Sequence, residues 1–327
     1  MEPVNAKNEA KVRVTTRALY INGMARLLFG PGARGESIRI LQQKLVDAGF
    51  DTNGIDASYG HGTVAAVQAF QQKHGLPVTG NVDDALWTAL TNTPIPSLRE
   101  RCLGLTSTFE GHGYTLAEGN FDGAGVTWGI IGFTLKGGEL TNIVGSAYKS
   151  DAALVRDCFG DCTDTLLKVL AEPQDQQLAW ATSVSSGASK GTLAEPYKSG
   201  FRKLGESSLG QQLQQQRVDA DYFHPALATA KAYGLTTELG VALAFDIHVQ
   251  DGGINSTVGA RVRAQMIPGM SEKAVRMLIA NGIADHALAA WREDVRTRKL
   301  TVATGEGIVH GVHYVLENWG LAEVPAQ

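Results

Sequence analysis

Apolar residues recur at helical spacing through most of the chain, and this pattern predicts a mainly α-helical protein. Residues 30–92 contain three short stretches of this kind, separated by glycines and polar residues. Their apolar stripes are formed by Ile38, Leu41 and Leu45, by Val64, Val67 and Phe70, and by Leu86, Trp87 and Leu90. Three amphipathic helices in a stretch this short predict a small bundle with little room for a deep catalytic pocket.

A hairpin is predicted ahead of this bundle. The stretch ALYINGMARLL, within residues 12–29, places Asn22-Gly23 between two apolar-rich runs. Asn-Gly between such runs is the strongest short-range hairpin signal, because both residues accept the backbone angles of a tight turn. We therefore expect residues 1–29 to form an N-terminal arm.

A domain boundary is predicted in the polar, proline-containing stretch TNTPIPSLRE, at residues 91–100. Ser97 and Glu100 have the spacing of a capping box, which predicts that a helix begins there. That helix has an apolar face and is expected to end at Glu110, because Gly111 follows. The predicted division is a bundle at 30–92, a linker at 93–97 and a second domain at 98–327.

The second domain is predicted to be mainly helical, with a small β region near its start. Residues 111–138 are rich in glycine, as in turns and short strands, and helical periodicity returns after Leu140. The stretch 183–200 is polar and is interpreted as a long loop that borders a cleft. ELGVALAFDIHVQDGG is apolar on nearly every face, which predicts a central, buried helix.

Composition excludes several classes of protein. With 29 basic and 33 acidic residues among 327, the net charge is −4, whereas a nucleic-acid-binding protein would normally carry a basic excess. No stretch of about 18 apolar residues exists that could span a membrane. The N-terminal residues lack the apolar region of a signal peptide, so we expect synthesis in the cytoplasm without one. Three cysteines are too few for a disulfide framework, and free thiols are expected for Cys102, Cys158 and Cys162.

Candidate chemistry lies in FEGHGYTLAEGNFDGAGVTWGIIGF, residues 109–133, which contains Glu110, Asp122 and Thr127. Cleavage of a glycosidic bond needs one carboxylic acid to protonate the leaving oxygen and a second carboxylate as nucleophile or base. Glu110 ends an apolar helix, where partial burial favours the protonated form. Asp122 is surrounded by glycines, where solvent and backbone donors favour the ionised form. The alternative is structural, because an Asp-Gly pair is usually a turn and a glutamate at a helix end is usually solvated.

Other residues are also candidates for substrate or metal contact. Trp128 is a candidate for stacking on a sugar ring, with membership of the core as the alternative, and Tyr114 is a second candidate for substrate contact. His310 and His313 are three apart, but no further ligand motif joins them, so we expect neither a metal nor any cofactor.

Two stretches resemble known families. LQQKLVDAGF, DASYGHGTVAAVQAFQQKHGL and TGNVDDALWTAL are similar to the peptidoglycan-binding domain found beside many cell-wall hydrolases. Residues 109–133 resemble the catalytic segment of family 46 glycoside hydrolases, the chitosanases, and the order Glu, Asp, Thr also resembles phage lysozymes. The resemblance implies a lysozyme-like α+β fold for the second domain.

The resemblance also implies roles: Glu110 as general acid, Asp122 as general base and Thr127 as the residue that positions a water. The family inverts configuration, which implies carboxyl groups about 6.5–9.5 Å apart. Asp246 falls where the family keeps a buried aspartate paired with arginines, and its apolar neighbours also require a partner for it. Arg292 and Arg296 are the predicted partners.

Two departures weaken the analogy to chitosanases. The interval from Glu110 to Asp122 is nearer that of phage lysozymes, and Ala124 stands where an arginine is usual. The leading hypothesis is therefore a monomeric peptidoglycan glycosidase of muramidase type, an endolysin or an antibacterial effector that reaches the wall by phage-type or contact-dependent delivery. Its partner would be the glycan strands of peptidoglycan, attacked from the periplasm or from outside the cell. The alternatives are a chitosanase anchored to the wall and a wall-binding protein without activity.

Overall fold

The computed structural model describes residues 20–21, 24–111 and 113–326. They form two compact units, Met1–Arg101 with Val315–Leu321, and Cys102–Tyr314 with Ala322–Gln327. The segment Val315–Leu321 thus belongs to the first unit. The predicted boundary at residues 93–97 would place this segment in the second domain.

A small helical bundle with short strands builds the first unit. Its strands and helices are β1 (Tyr20–Ile21), β2 (Met24–Ala25), β3 (Leu27–Phe29), α1 (Glu36–Asp47), α2 (His61–Lys73), β4 (Val82–Asp83) and α3 (Asp84–Thr91). A 3₁₀ helix, Leu316–Trp319, completes it. β1 pairs antiparallel with β2, and β3 with β4. The Asn22-Gly23 turn of the predicted hairpin lies outside the described residues, as do residues 12–19.

The apolar stripes explain why these three helices pack together. Most stripe residues are buried, namely Ile38, Leu41, Leu45, Val67, Phe70, Leu86 and Trp87. α3 begins at an N-cap, where the Asp83 carboxylate accepts a hydrogen bond of 2.7 Å from the backbone N–H of Leu86. The predicted bundle is confirmed.

Helix α4 (Leu98–Glu110) begins at the predicted capping box. The backbone N–H of Ser97 donates to the Glu100 carboxylate at 2.8 Å, and the backbone N–H of Glu100 donates to the Ser97 hydroxyl at 3.3 Å. These reciprocal bonds satisfy groups that a helix start would otherwise leave unpaired. Local sequence therefore fixes where α4 starts.

A three-stranded antiparallel sheet follows α4 in the second unit. Its strands are β5 (Ala117–Glu118), β6 (Thr127–Trp128) and β7 (Phe133–Thr134), in that order. Glu118 pairs with Thr127, and Thr127 pairs with Thr134. The neighbouring row of paired residues is apolar and consists of Ala117, Trp128 and Phe133. Side chains alternate between the faces of a strand, so the sheet has one polar and one apolar face.

The remainder of the second unit is mainly helical. Its helices are α5 (Glu139–Ser150), α6 (Ala152–Phe159), α7 (Thr163–Leu170), α8 (Gln174–Ser183), α9 (Tyr197–Glu206), α10 (Ser208–Arg217), α11 (His224–Ala232), α12 (Glu238–Asp251), α13 (Ser256–Gln265), α14 (Glu272–His286) and α15 (Arg292–Thr304). Two hairpins, β8 (Ser185–Ser186) with β9 (Thr192–Leu193) and β10 (Glu306–Val309) with β11 (Val312–Val315), accompany them. The first hairpin and the start of α9 occupy 183–200, where a loop was predicted. A 3₁₀ turn, Gly160–Cys162, and a π-helix, Val218–Phe223, join neighbouring helices.

Helix α12 is the central helix of this unit, as its sequence predicts. Its residues from Glu238 to Ile247 are all buried, and it packs against α11, α14 and α15. The mainly helical fold with small sheets is therefore confirmed, with 59% of the described residues in helices. In the part of the chain that the structure describes, no helix combines the length and the apolar character needed to cross a membrane.

Candidate active site

Glu110 is the last residue of α4, and its side chain is 23% exposed. Gly111, which follows, has a φ of 67°, in the left-handed region where a glycine ends a helix without steric cost. The helix thus delivers the Glu110 carboxyl group to the edge of the core, where it is neither free in solvent nor enclosed.

Arg298 of α15 contacts this carboxyl group. Its Nη2 atom lies 2.6 Å from Oε1 of Glu110, and its guanidinium lies 5.0 Å from the ring centre of Phe109. The contact with Glu110 is an ion pair rather than a well-aligned hydrogen bond, because Oε1 has no partner of hydrogen-bond geometry among the described residues. Arg298 therefore restrains Glu110 mainly through charge.

Asp246, fully buried in α12, holds Arg298 in place. Arg298 Nη2 donates to Oδ1 of Asp246 at 2.7 Å. Lys299 Nζ donates to Oδ2 of Asp246 at 2.7 Å and lies 2.9 Å from Oδ2 of Asp251. Burial opposes ionisation of Asp246, but the two cations outweigh it and hold the pKa of this carboxyl well below its usual range. Two cations are thus matched by two carboxylates without counting Glu110.

The predicted partners of Asp246, Arg292 and Arg296, are wrong. Arg296 instead donates to Asp285 at 2.7 Å and to Asn281 at 2.8 Å, and Arg292 is exposed. Arg296 lies about 200° around the helix from Arg298, because each residue of an α-helix turns by about 100°. The face of α15 that meets α12 therefore carries Arg298 and not Arg296.

Thr127 lies on the polar face of the sheet and is nevertheless buried, with 4% of its surface exposed. Its Oγ1 atom is shielded from solvent and has no hydrogen-bond partner within the described residues. Its cross-strand neighbours on this face are Glu118 and Thr134. A buried hydroxyl normally has a hydrogen-bond partner, so this one is available to bond a small bound molecule such as water.

Asp122 is exposed on the loop that joins β5 to β6. Its Oδ1 atom accepts a hydrogen bond of 2.9 Å from the backbone N–H of Ala124. Asn120 braces the loop, accepting from Gly125 N–H at 2.8 Å and donating to the Thr182 hydroxyl at 2.8 Å. Asp122 is therefore held by the backbone of its own loop, Asn120 ties that loop to α8, and Asp122 faces water.

The prediction that Trp128 contacts substrate is wrong. Trp128 follows Thr127 in β6 and so points to the opposite, apolar face of the sheet. It is fully buried and packs against Phe201, with ring centres 5.5 Å apart. Of the two roles considered for this side chain, the structure favours the core.

Two other aromatic residues are nearer solvent. Tyr114 is half-buried, and its hydroxyl is hydrogen-bonded to the side chain of Gln215. Its role as a substrate contact stays a prediction. Phe121, directly before Asp122, is 46% exposed, which is unusual for a large apolar side chain.

The structure joins Glu110 to Asp246 through Arg298, which contacts both, and pairs Thr127 with Glu118 across the sheet. Arg298, Lys299 and Glu118 were not predicted. A signal existed for the two cations, since they occupy helical positions in register with the buried Val295 and Val302. Charged residues on an apolar stripe indicate buried ion pairs. His310 and His313 each contact one carboxylate, Asp294 at 2.7 Å and Glu306 at 2.9 Å.

Two family models match the chain. One is described as a peptidoglycan binding domain and matches residues 34–90. The other, described as glycosyl hydrolase family 46, matches residues 165–275. The second match includes Asp246 but begins after Glu110, Asp122 and Thr127, so it does not cover these three residues.

Several known proteins are similar to parts of the chain. A family 46 chitosanase from Gynuella sunshinyii, solved in complex with chitotetraose, is 19% identical and shares the fold, with a TM-score of 0.50 over 68% of this chain and 98% of that one. A native chitosanase from Bacillus subtilis MY002 is 20% identical over 64% of this chain and 86% of its own, with a TM-score of 0.46. A spore cortex-lytic enzyme from Bacillus cereus is 47% identical over 49 residues, which are 15% of this chain and 19% of that protein. The chain thus matches only about a fifth of the length of this curated relative.

Proposed function

We propose that this chain, a glycoside hydrolase that joins a peptidoglycan-binding domain to a family 46 domain, cleaves the β-1,4 glycosidic bonds of peptidoglycan. The bond proposed is the one from N-acetylmuramic acid to N-acetylglucosamine. Glu110 acts as general acid, Asp122 as general base, and Thr127 orients the attacking water.

The observation that carries the proposal is the charge balance around Glu110. Arg298 and Lys299 are already neutralised by Asp246 and Asp251, with contacts of 2.7–2.9 Å. Glu110 is therefore held by Arg298 without being needed as a counter-ion. A general acid must be held in one position beside the leaving oxygen, and the contact with Arg298 provides this for Glu110.

The reaction proposed is a single displacement. The oxygen of a water molecule attacks the anomeric carbon while the bond from this carbon to the leaving oxygen breaks. Glu110 gives its proton to the leaving oxygen, and Asp122 takes a proton from the water. The product has inverted configuration, which requires the two carboxyl groups to be about 6.5–9.5 Å apart so that the water fits between them.

Phe121 is proposed as the aromatic side chain that contacts sugar, in place of the buried Trp128. It precedes Asp122 on the same braced loop and is 46% exposed. The apolar faces of sugar rings pack well on aromatic rings. A half-exposed ring beside the proposed base would therefore place a sugar close to the attacking water.

The peptidoglycan-binding domain supports the choice of substrate. Tethering a catalytic domain to its polymer raises the local concentration of substrate, so that a site of modest affinity is sufficient. Such an architecture suits a phage-type lysis enzyme or an antibacterial effector that acts on the wall.

A chitosanase anchored to the wall is the second candidate. The match to family 46 and the fold shared with a chitosanase favour it directly. Against it, Ala124 places no charge at a loop position where the family resemblance leads one to expect arginine.

Identification of the ends released during digestion separates these candidates. Purified peptidoglycan and chitosan would be digested with the full chain, reduced with borohydride and hydrolysed. Muramitol from peptidoglycan is the expected product. Glucosaminitol from peptidoglycan would mean a glucosaminidase, and release from chitosan alone would mean a chitosanase.

A Glu110→Gln variant tests for catalysis itself. The amide cannot donate the proton, so we expect the rate of bond cleavage to fall at least about 100-fold. Binding to purified walls should be unchanged, because the substitution lies outside residues 34–90. If the variant clears walls as fast as the parent, Glu110 is not the acid. If neither protein releases reducing ends from either polymer, the chain is a wall-binding protein without activity.

A further inference from the structure

Trp291, between α14 and α15, is the most exposed tryptophan of the chain. All five tryptophans lie within the described residues: Trp87, Trp128 and Trp319 are buried, Trp180 is half-buried, and Trp291 is 63% exposed. Its backbone is nevertheless held in place, because its N–H donates to the Leu288 carbonyl and its carbonyl accepts from the Val295 N–H, both at 2.9 Å. An ordered tryptophan ring in solvent is a candidate for contact with a ligand that has both an apolar face and polar edges.

Trp291 continues the face of α15 that meets Glu110. It lies directly before α15, has right-handed helical backbone angles, and precedes Arg298 by seven residues. Seven residues turn a helix by about 700°, so the two side chains leave it in directions within about 20° of each other, about 10 Å apart along its axis. Val295 and Arg298 on this face are buried. The face thus leads from the Glu110 carboxyl group outward to an exposed ring.

The β10–β11 hairpin runs in the same direction beside α15. At one end, Tyr314 of β11 packs against Phe109 in the last turn of α4, with ring centres 4.9 Å apart. At the other end, His310 in the hairpin turn lies 2.7 Å from Asp294 in the first turn of α15. The hairpin therefore extends from the end of α4, where the proposed acid lies, to the start of α15.

The surface between these two ends is apolar with a charged rim. Val312 lies on the same face of β11 as Tyr314 and is 53% exposed. Arg292 and Glu293, which follow Trp291, are exposed charged residues. A sugar chain matches such a surface, because its rings have apolar faces and its hydroxyl groups form polar edges. A partner that is wholly apolar would leave the charged rim without water or hydrogen bonds.

We propose that Trp291 forms a distal sugar-binding site, at which a sugar ring stacks on the indole while the bond to be cleaved lies at Glu110. The separation of about 10 Å along α15 corresponds to roughly two linked sugars. The ligand is therefore a β-1,4-linked glycan chain that continues beyond the cleavage point toward the start of α15. This inference rests on the proposed function and deepens it, because it makes long strands the preferred substrate.

The dependence of KM on chain length provides the main test. The parent and Trp291→Ala would be compared on tetrasaccharides and octasaccharides of the polymer that the full chain cleaves. Loss of the stacked ring should raise KM for the octasaccharide about 2- to 12-fold with little change in kcat, because stacking holds substrate and transition state alike. The rise should be smaller for the tetrasaccharide, which has fewer sugars to reach Trp291. Trp291→Phe keeps a ring and should restore most of the affinity.

Leu288→Ala is the matched control. Leu288 lies three residues before Trp291 in the same loop and is 76% exposed. Its substitution removes exposed apolar surface without removing an aromatic ring, so KM should equal that of the parent for both oligosaccharides. An equal rise in Leu288→Ala and Trp291→Ala would assign the effect to a general apolar patch and overturn the stacking.

Fluorescence quenching gives a readout that needs no turnover. Acrylamide reaches exposed tryptophans more readily than buried ones, so Trp291 should dominate the quenching. In Glu110→Gln, saturating octasaccharide should remove most of this quenching, because a stacked sugar covers the ring. In the double variant Glu110→Gln, Trp291→Phe, the sugar should leave the remaining quenching unchanged.

The outcomes separate the two proposals. Unchanged KM in Trp291→Ala and unprotected quenching, together with inactivity in Glu110→Gln, would overturn the distal site and leave the glycosidase standing. Full activity in Glu110→Gln would overturn the proposed function and this inference with it, since the distal site is defined from Glu110. A lowered melting temperature in Trp291→Ala without protection from quenching would assign the ring a structural role instead.

Discussion

Two parts of the catalytic unit hold their charged groups in opposite ways. Around Arg298, charges from α4, α12 and α15 meet inside the protein, and each is fixed by residues far away in the sequence. In the loop before β6, Asp122 is exposed and is fixed by the backbone two residues on. The first arrangement depends on the whole fold and the second on a local turn. Substitutions in the first should therefore cost stability as well as activity, and those in the second mainly activity.

The largest expected effect follows from breaking the buried network. In Asp246→Ala, Arg298 and Lys299 keep their burial but lose the carboxylate that both contact. Removing one partner of a buried ion pair leaves an uncompensated charge, so we expect the free energy of unfolding to fall by about 3–5 kcal/mol. Urea denaturation followed by tryptophan fluorescence measures this loss.

Asp122→Ala is the matched control for that measurement. It also removes a carboxylate, but from an exposed turn, where substitutions usually change stability by less than about 0.5 kcal/mol. Its activity should nevertheless be lost. Equal destabilisation by the two substitutions would contradict the distinction between a buried network and a local turn.

A smaller effect is expected from pH. The folded-state pKa of Asp246 lies below its ordinary value of 3.8, so its ionised form stabilises the fold above that pH. This contribution is lost as the pH falls through the folded-state value. The pKa of Asp285 is also lowered, mainly by a hydrogen bond from Arg296. Burial by itself would raise the pKa of Glu272, but hydrogen bonds from two neighbouring threonines together outweigh it and lower this pKa. The test must therefore compare proteins that differ only at Asp246.

Asp246→Asn isolates this contribution. The parent and the variant would be unfolded with urea between pH 2 and pH 6. Because asparagine does not titrate, the stability difference between them should be largest near pH 6 and shrink below about pH 4. A difference that stays constant over this range would show that Asp246 does not carry its charge into the folded core.

Much of the architecture could be predicted because its causes are local. The capping box of Ser97 and Glu100 fixes the start of α4, and the wholly apolar stretch of α12 predicts a buried helix. The two predictions that are wrong, the partners of Asp246 and the surroundings of Trp128, have non-local causes. Which cation meets Asp246 depends on the rotation of α15 against α12, and sequence spacing does not set that rotation. The environment of Trp128 depends on which face of a two-residue strand turns inward, and a strand so short shows no alternation to read.

The smallest expected effect concerns Phe121. It extends the comparison between buried core and exposed loop to the binding of substrate. Trp128 belongs to the core, whereas Phe121 is half-exposed on the loop that carries Asp122. If the Phe121 ring packs on a sugar, Phe121→Ala should lose about 0.5–1.5 kcal/mol of binding, which corresponds to a KM about 2- to 12-fold higher. Phe121→Tyr keeps the ring and should bind as the parent does. Because the ring is not part of the core, neither variant should change the melting temperature. A KM that stays at the parent value in Phe121→Ala, or a fall in melting temperature, would remove Phe121 from the site and leave Tyr114 and Trp291 as the remaining aromatic candidates for contact with the sugar.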